Sequence, residues 1–413
     1  MIQPAKSNPI SQSADQERQI LTDKSSHTAF WLHLDRALEV RRTQGLHRQR
    51  AISHPLGPTT ISRNGAVAIN FGANDYFGLS WHPDVRRAAF ETTQLKNFGS
   101  GASPLVSGHT PEHSRLVDSI ADFEETENAI VFSSGYAANV GTVASLATKE
   151  DVIFSDSLNH ASLIDGCRLS RSQIYIYPHC DMAALRELIR QYRHRGRFAF
   201  IASDSVFSME GDLAPLLEIN AFCHEFDMQC LLDEAHATGV YGTNGRGLAE
   251  HVGASRERIV SIGTLSKALG CVGGFVAGPS VLIEWLTNHA RSFVYSTAST
   301  IPNVAAACKA ISLIRGMRSE RLELARKAVG LRSSLAGLGF EVGRGDSPIV
   351  PVYISDARRV MELSNKLLQA GVFVPAIRPP TVPKNRSLLR ISLSIEHTAK
   401  ETGQLVEALA SAG

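Results

Sequence analysis

The 413-residue chain is 43% hydrophobic and 20% charged, which excludes a disordered protein and supplies enough apolar material for a sizeable core of about two domains. Its 42 basic and 40 acidic residues leave a formal charge of +2, so nucleic acid is not an expected partner and any anion site has to be local. The six cysteines (Cys167, Cys180, Cys223, Cys230, Cys271 and Cys308) contain no CxxC pair, which fits unpaired thiols rather than a disulfide framework, and no metal is expected.

In chain order, Met1 to Ser26 is polar and lacks the apolar stretch of a secretory signal, so residues 1–28 read as a loose extension. Phe30 to Arg50 predicts a helix bearing Arg41, Arg42 and Arg48, within a segment spanning 29–65. From Ala129 to Gly278, short β-branched runs (AIVFS, DVIFSD, QIYIYPH, FAFIASD, MQCLLDEAH, RIVSIGT and GGFVAG) alternate with helix-like stretches. That alternation predicts an α/β domain, residues 66–315, built on a mostly parallel sheet. Its longest apolar run, Ala129 to Ala147, is interrupted by Ser, Gly and Asn; no membrane span is expected, and a soluble cytoplasmic protein follows. An amphipathic stretch from Ile301 to Leu331 leads into SPIVPVYIS, a helix near Arg358 to Ala370, GVFVPAI and SLLRISLS, which predict a small α+β domain over 316–413.

Parallel sheets gather ligand groups at the carboxyl ends of their strands, and His160, Asp204, Ser208, His236 and Lys267 all follow a strand run. Lys267, in TLSKALG, sits where burial would lower its pKa and free a nucleophilic amine, although alone it also fits a lysine whose stem packs while its head reaches water. In LLDEAHATG, Asp233 ends an apolar strand and could face a pyridine nitrogen, with His236 three residues on placed to hydrogen-bond a phenolic oxygen; a helix cap and a turn histidine are the plainer readings. SSGYAAN, Ser133 to Asn139, is a strand followed by a glycine-opened helix start of the kind that binds phosphate, and His160 in SDSLNHASL could stack on a cofactor face. GTNGRG, Gly242 to Gly247, lacks the spacing and preceding strand of a dinucleotide loop and reads as a turn.

Together with NDYFGL, VSGHTPEH, VFSMEGD, YST and LRISLS, these motifs form an ordered series from about Phe30 to the C-terminus that resembles the α-oxoamine synthases. The resemblance implies the fold of a fold-type I pyridoxal-phosphate (PLP) transferase, with a mostly parallel-sheet large domain and a smaller α+β C-terminal domain. It implies Lys267 as the Schiff-base lysine and α-proton base, Asp233 at the pyridine nitrogen, His236 with Ser208 near the phenolic oxygen, and His160 stacked over the ring. Gly135, Tyr136 and Thr264 would hold the phosphate, with Thr297 of YST reaching across from the second subunit of a homodimer. Arg390 would clamp the amino-acid carboxylate, bidentate geometry suiting a guanidinium, while Asn74, Arg48 and Arg378 would lie near the acyl-thioester entrance.

The expected reaction is a decarboxylative condensation of an amino acid with an acyl thioester. IRPPTVP, Ile377 to Pro383, resembles the branch that joins L-alanine to a pimeloyl thioester. Other members of the family, acting on glycine or serine, and an aminotransferase are the alternatives. The sequence departs from the family pattern in GASPLVSG, where Ala102, Ser103 and Pro104 replace glycines.

Overall fold

The computed structural model describes residues 28–412, so the extension expected over 1–28 falls, apart from Thr28, outside the described residues. The chain divides into a unit ending at Arg50 and a second unit from Ala51 onward. In the first, helix α1 (Ala29–Thr43) carries Arg41 and Arg42 in its last turn, where cations suit the negative helix terminus. It stops short of Arg50 because Gly45 takes a left-handed conformation and the Gly45 and Leu46 amides fold back onto the Arg42 and Arg41 carbonyls.

The second unit opens with an antiparallel meander, β1 (Ser53–Pro55), β2 (Thr60–Arg63) and β3 (Ala66–Asn70), and continues through helices α2 (Pro83–Leu95) and α3 (Pro111–Glu124). Strands and helices then alternate: β4 (Asn128–Phe132), α4 (Gly135–Leu146), β5 (Val152–Asp156), α5 (Ala161–Ser170), β6 (Gln173–Tyr177), α6 (Met182–Tyr192), β7 (Ala199–Asp204), α7 (Leu216–Glu225), β8 (Gln229–Asp233), α8 (Leu248–Val252), β9 (Ile259–Thr264) and β10 (Gly274–Gly278). These strands form one sheet in the order β4-β10-β9-β8-β7-β5-β6, parallel throughout except for β10, which runs antiparallel to both neighbours. β5, β7, β9 and β10 are buried along their whole lengths, which explains why the sequence shows continuous apolar runs there instead of alternation.

Helices α9 (Ser280–His289) and α10 (Arg291–Val294) precede α11 (Ile301–Ile314) and α12 (Arg318–Gly337). The single amphipathic stretch expected from Ile301 to Leu331 is thus two helices. The Gly316 and Met317 amides close tight turns onto Leu313 and Ile314, and the buried Arg321 guanidinium donates to the Ile314 and Thr243 carbonyls, satisfying the end of α11.

The chain ends with β11 (Ile349–Ser355), α13 (Ala357–Gln369), β12 (Val372–Phe373), β13 (Ala376–Ile377), β14 (Ser387–Ser392) and α14 (Ala399–Ala412). β11, β14 and β13 form a three-stranded antiparallel sheet. β12 instead pairs in parallel with β3, so residues 66–70, which the sequence reading assigns to the large domain, share a sheet with the C-terminal segment. The segment after β3 is tied the same way: Ser392 N donates to Phe71 O and Ile395 N to Tyr76 O, both at 2.8 Å. Among the described residues no helix is long and apolar enough to cross a membrane.

Candidate functional site

The site forms at the carboxyl ends of β5, β7, β8 and β9, where the parallel arrangement delivers His160, Asp204, Asp233 and Lys267 to one edge of the sheet. Lys267 lies on the tight loop between β9 and β10. The Gly270 amide returns to Lys267 O and Cys271 N to Leu265 O; Gly270 has φ +63°, and a Cβ there would collide with the Ser80 amide. The loop holds the lysine amine in a largely buried position. Burial pulls its pKa down to about 8; Asp233 and Asp204 oppose that shift and Arg390 adds to it.

Asp204 and Asp233 are register partners on β7 and β8, and both are buried. Burial and the neighbouring Asp233 carboxylate push Asp204 well above the ordinary carboxylate range, while its Oδ1 accepts from the His160 amide at 3.1 Å. Asp233 is held from two sides: Oδ1 accepts from Ala235 N at 2.8 Å, and Oδ2 accepts from Asn139 Nδ2 at 2.6 Å. The same Asn139 amide donates to Ser162 Oγ at 2.9 Å, and Ser162 Oγ lies 2.6 Å from His160 Nδ1. A chain of hydrogen bonds therefore runs from His160 through Ser162 and Asn139 to Asp233.

His160 is exposed at the surface, but the protein packed behind its ring depresses its pKa, with Asp233 opposing and Lys267 assisting. A neutral His160 that accepts at Nδ1 carries its proton on Nε2. His236 is buried, and burial, then Lys267 and Arg390, hold it well below the ordinary histidine value. Its Nδ1 is 2.7 Å from the Tyr76 hydroxyl, which lies 3.5 Å from Asn74 Oδ1. One proton lies between Tyr76 Oη and His236 Nδ1, and the His236 tautomer sets which of them donates it. Burial pushes the Tyr76 hydroxyl up to about 12, so it keeps its proton across the neutral range.

Arg390, on β14, enters the site from the C-terminal sheet. Nε donates to Ser208 O at 2.5 Å, and Nη1 donates to Asn74 Oδ1 at 3.0 Å and to Ser392 Oγ at 2.6 Å. Three of its five N–H groups are thus committed to scaffolding, and the remaining two are both on Nη2. A carboxylate would meet one nitrogen rather than the two-nitrogen fork expected from the sequence.

For phosphate, α4 begins at Gly135 behind an N-cap in which Ser134 Oγ accepts from Ala137 N at 3.0 Å, leaving the first amides of the helix pointing outward. A Cβ added at Gly135 would stand 3.2 Å from Thr264 Oγ1, so the missing side chain lets the helix start lie against this buried threonine, whose hydroxyl donates to Gly273 O at 2.8 Å. The helix start at α4, a buried carboxylate at Asp233, a depressed lysine at 267 and a histidine at the surface together fit a phosphorylated pyridine aldehyde such as the PLP expected from the sequence.

Other expected residues lie apart. Thr297 is exposed between α10 and α11, where Ala298 N donates to Ala102 O, and among the described residues no hydrogen bond joins it to the Lys267 group. Tyr136 is half exposed, its hydroxyl donating to Asp165 at 2.6 Å. Arg378 follows β13, its carbonyl accepting from Thr381 N, and Arg48 belongs to the N-terminal unit. GASPLVSG is a compact turn over Pro104–Gly108 with Leu105 and Val106 exposed. GTNGRG is a turn: Glu250 accepts from the Asn244 and Arg246 amides, and an anion there would meet that carboxylate. Sequence reasoning assigns no role to Asn139 or Tyr76, although they stand inside SSGYAAN and NDYFGL.

A family model described as aminotransferase class I and II matches residues 66–409. The 8-amino-7-oxononanoate synthase of Lysinibacillus sphaericus is 41% identical over 378 residues, 92% of this chain and 97% of that protein. Among solved structures, the serine palmitoyltransferase of Sphingomonas wittichii superposes with a TM-score of 0.85 at 29% identity, covering 98% of each chain. The 8-amino-7-oxononanoate synthase of Francisella tularensis superposes with a TM-score of 0.72 at 28% identity, covering 83% of this chain and 97% of that one.

Proposed function

The chain belongs to the class I and II aminotransferase family, and from that premise we propose that it is a PLP-dependent α-oxoamine synthase that condenses L-alanine with a pimeloyl thioester. The products are 8-amino-7-oxononanoate, carbon dioxide and the free thiol of coenzyme A or an acyl carrier protein, the step that begins the biotin ring skeleton. The observation that carries this reading is the cluster at the carboxyl end of the sheet, where the Lys267 amine, brought down by burial to about 8, lies within electrostatic reach of Asp233 and of the scaffolded Arg390.

Bound PLP supplies an electron sink that acidifies the α-hydrogen of an amino acid. Asp233 would lie at the ring nitrogen, where a carboxylate keeps that nitrogen protonated, with Asn139 fixing the carboxylate's direction. His236, oriented by Tyr76, and Ser208 would lie near the phenolic oxygen. His160 would cover the ring. Gly135, Tyr136 and Thr264 would hold the phosphate, joined by Thr297 of the second subunit of a homodimer. Arg390 would bind the substrate carboxylate through Nη2 and so orient the α-carbon. Lys267, neutral above about pH 8 when unbound, removes the α-proton. The net change joins the amino-acid α-carbon to the acyl carbonyl, releases the thiol, and replaces the amino-acid carboxylate, lost as carbon dioxide, by a proton. Asn74 and Arg378 would belong to the thioester entrance.

Support for alanine and the pimeloyl chain comes from IRPPTVP and from the relatives' names; Arg390 and Lys267 would serve equally with glycine or serine. The test is product mass after incubation with alanine, glycine or serine against a series of acyl thioesters. The expected outcome is 8-amino-7-oxononanoate from alanine and the pimeloyl thioester, with stoichiometric thiol release. Turnover confined to another pair, or transamination without thiol release, would overturn it.

A further inference from the structure

Outside the residues already given roles, a partly buried charged cluster lies at the carboxyl ends of β5 and β6. His179, in the turn after β6, places Nδ1 3.0 Å from Asp156 Oδ1 and Nε2 3.0 Å from Asp212 Oδ2. Both ring nitrogens face carboxylates, an arrangement that two N–H donors, and hence an imidazolium, satisfy and that either neutral tautomer leaves half unpaired. Asp156 is buried and anchors its own loop, accepting from Leu158 N at 2.8 Å and Cys180 N at 2.9 Å. The edge of the His179 ring also packs on Phe207, centroids 4.3 Å apart.

The two carboxylates belong to different loops of the site. Asp156 begins the DSLNHASL loop that carries His160, and Asp212 ends the VFSMEGD loop whose Ser208 carbonyl receives Arg390 Nε. We propose that His179 is a positioning residue, an imidazolium clamp between Asp156 and Asp212 that holds these loops in register and thereby aims His160 and Arg390. The inference rests on the roles given to those two residues under the proposed function.

The remaining groups facing the ring are Cys180, whose thiol burial pushes up, and Glu210, which burial also pushes up. Burial of His179 opposes its charge, but the bonds from Asp156 and Asp212 outweigh it and raise the pKa to about 12. The clamp therefore stays closed across the physiological range and is not a pH switch. Asp156, His179 and Cys180 also present ligand atoms within 4.8 Å of one another, but a metal could take only a nitrogen already bonded to a carboxylate.

The experiment has three arms. Nitrogen NMR of 15N-histidine-labelled holoenzyme at pH 9, assigned by loss of the signal in His179→Gln, reports the ring itself; two protonated nitrogens are expected, and a neutral tautomer would overturn the clamp whatever the substrate proves to be. Steady-state kinetics of His179→Gln and His179→Asn should show the amino-acid KM raised roughly ten- to a hundredfold with the lysine-bound cofactor absorbance retained, since a small misplacement of a positioning group costs about that much. An unchanged KM in a folded variant would overturn the positioning role. Retention of one zinc ion per chain by wild type but not by His179→Gln, after incubation with zinc chloride and desalting, would replace the clamp by a metal site.

Discussion

Arg390→Lys separates charge from geometry at the carboxylate clamp. Lysine keeps the positive charge, but its three donors on one nitrogen cannot serve Ser208 O, Asn74 Oδ1 and Ser392 Oγ in their present directions while also reaching the substrate. The substrate carboxylate thereby forfeits one hydrogen bond between charged groups, worth about 1.5–3 kcal/mol, which at about 1.4 kcal/mol per decade is roughly a ten- to hundredfold rise in amino-acid KM. Gly135 and Thr264, the residues proposed to hold the cofactor phosphate, are on other elements, so lysine-bound cofactor absorbance should be unchanged. The assay is initial rate against L-alanine at saturating thioester, beside an absorbance spectrum of each protein. A KM within about twofold of wild type, with the spectrum intact, would refute the assignment, because a hydrogen bond of that strength would then still be in place.

Three other outcomes are expected. Reloading of cofactor-free enzyme with PLP should speed up as pH rises and level off above about 8, because Lys267 is nucleophilic only when neutral; stopped-flow absorbance giving a midpoint near the ordinary lysine value, above 10, would contradict this. Asn139→Ala removes the 2.6 Å donor from Asp233 Oδ2 and should weaken PLP affinity by roughly tenfold or more, read by titrating cofactor-free protein; an unaltered Kd would remove Asn139 from the site. His397 is buried, stacked 4.2 Å from Phe71, and burial holds its pKa down to about 4. The unfolded chain then binds the proton at about 6.5 and the folded chain does not, so stability should fall as pH drops from about 6.5 toward 4, by on the order of 3 kcal/mol; denaturant titrations of wild type and His397→Gln with equal slopes over that range would disprove it.

Much of the site is legible in the sequence because it is local. Lys267, Asp233 and His160 each follow a continuous apolar strand run, and in a parallel sheet that position alone brings them to one edge. What the sequence hides is pairing across long separations. Tyr76 meets His236 and Asn139 meets Asp233 only after the sheet and the segment behind β3 are assembled, and nothing in either local pattern marks the partner. Arg390 is legible as an arginine beside a strand, but its commitment to Ser208, Asn74 and Ser392, which leaves Nη2 alone, depends on three elements at once. The break between α11 and α12 is marked locally by the mostly polar run Arg315 to Arg321 with Gly316 inside it, whereas the partners that stabilise it, Arg321 and Thr243 O, lie on different segments.

The parallel pairing of β3 with β12 also bears on how the chain is made. Ile69 and Val372 are register partners roughly 300 residues apart, among the most non-local pairings such a chain can form. During synthesis at about 5–20 residues per second, the outer edge of β3 therefore waits on the order of 15–60 s for its partner to leave the ribosome. The large sheet, complete at Gly278, can close during that interval, whereas the meander from Ser53 to Asn70 stays an open strand edge, the form of backbone most prone to pairing with another nascent chain. Chains cut before Val372 are expected to keep that edge for good and to aggregate through it.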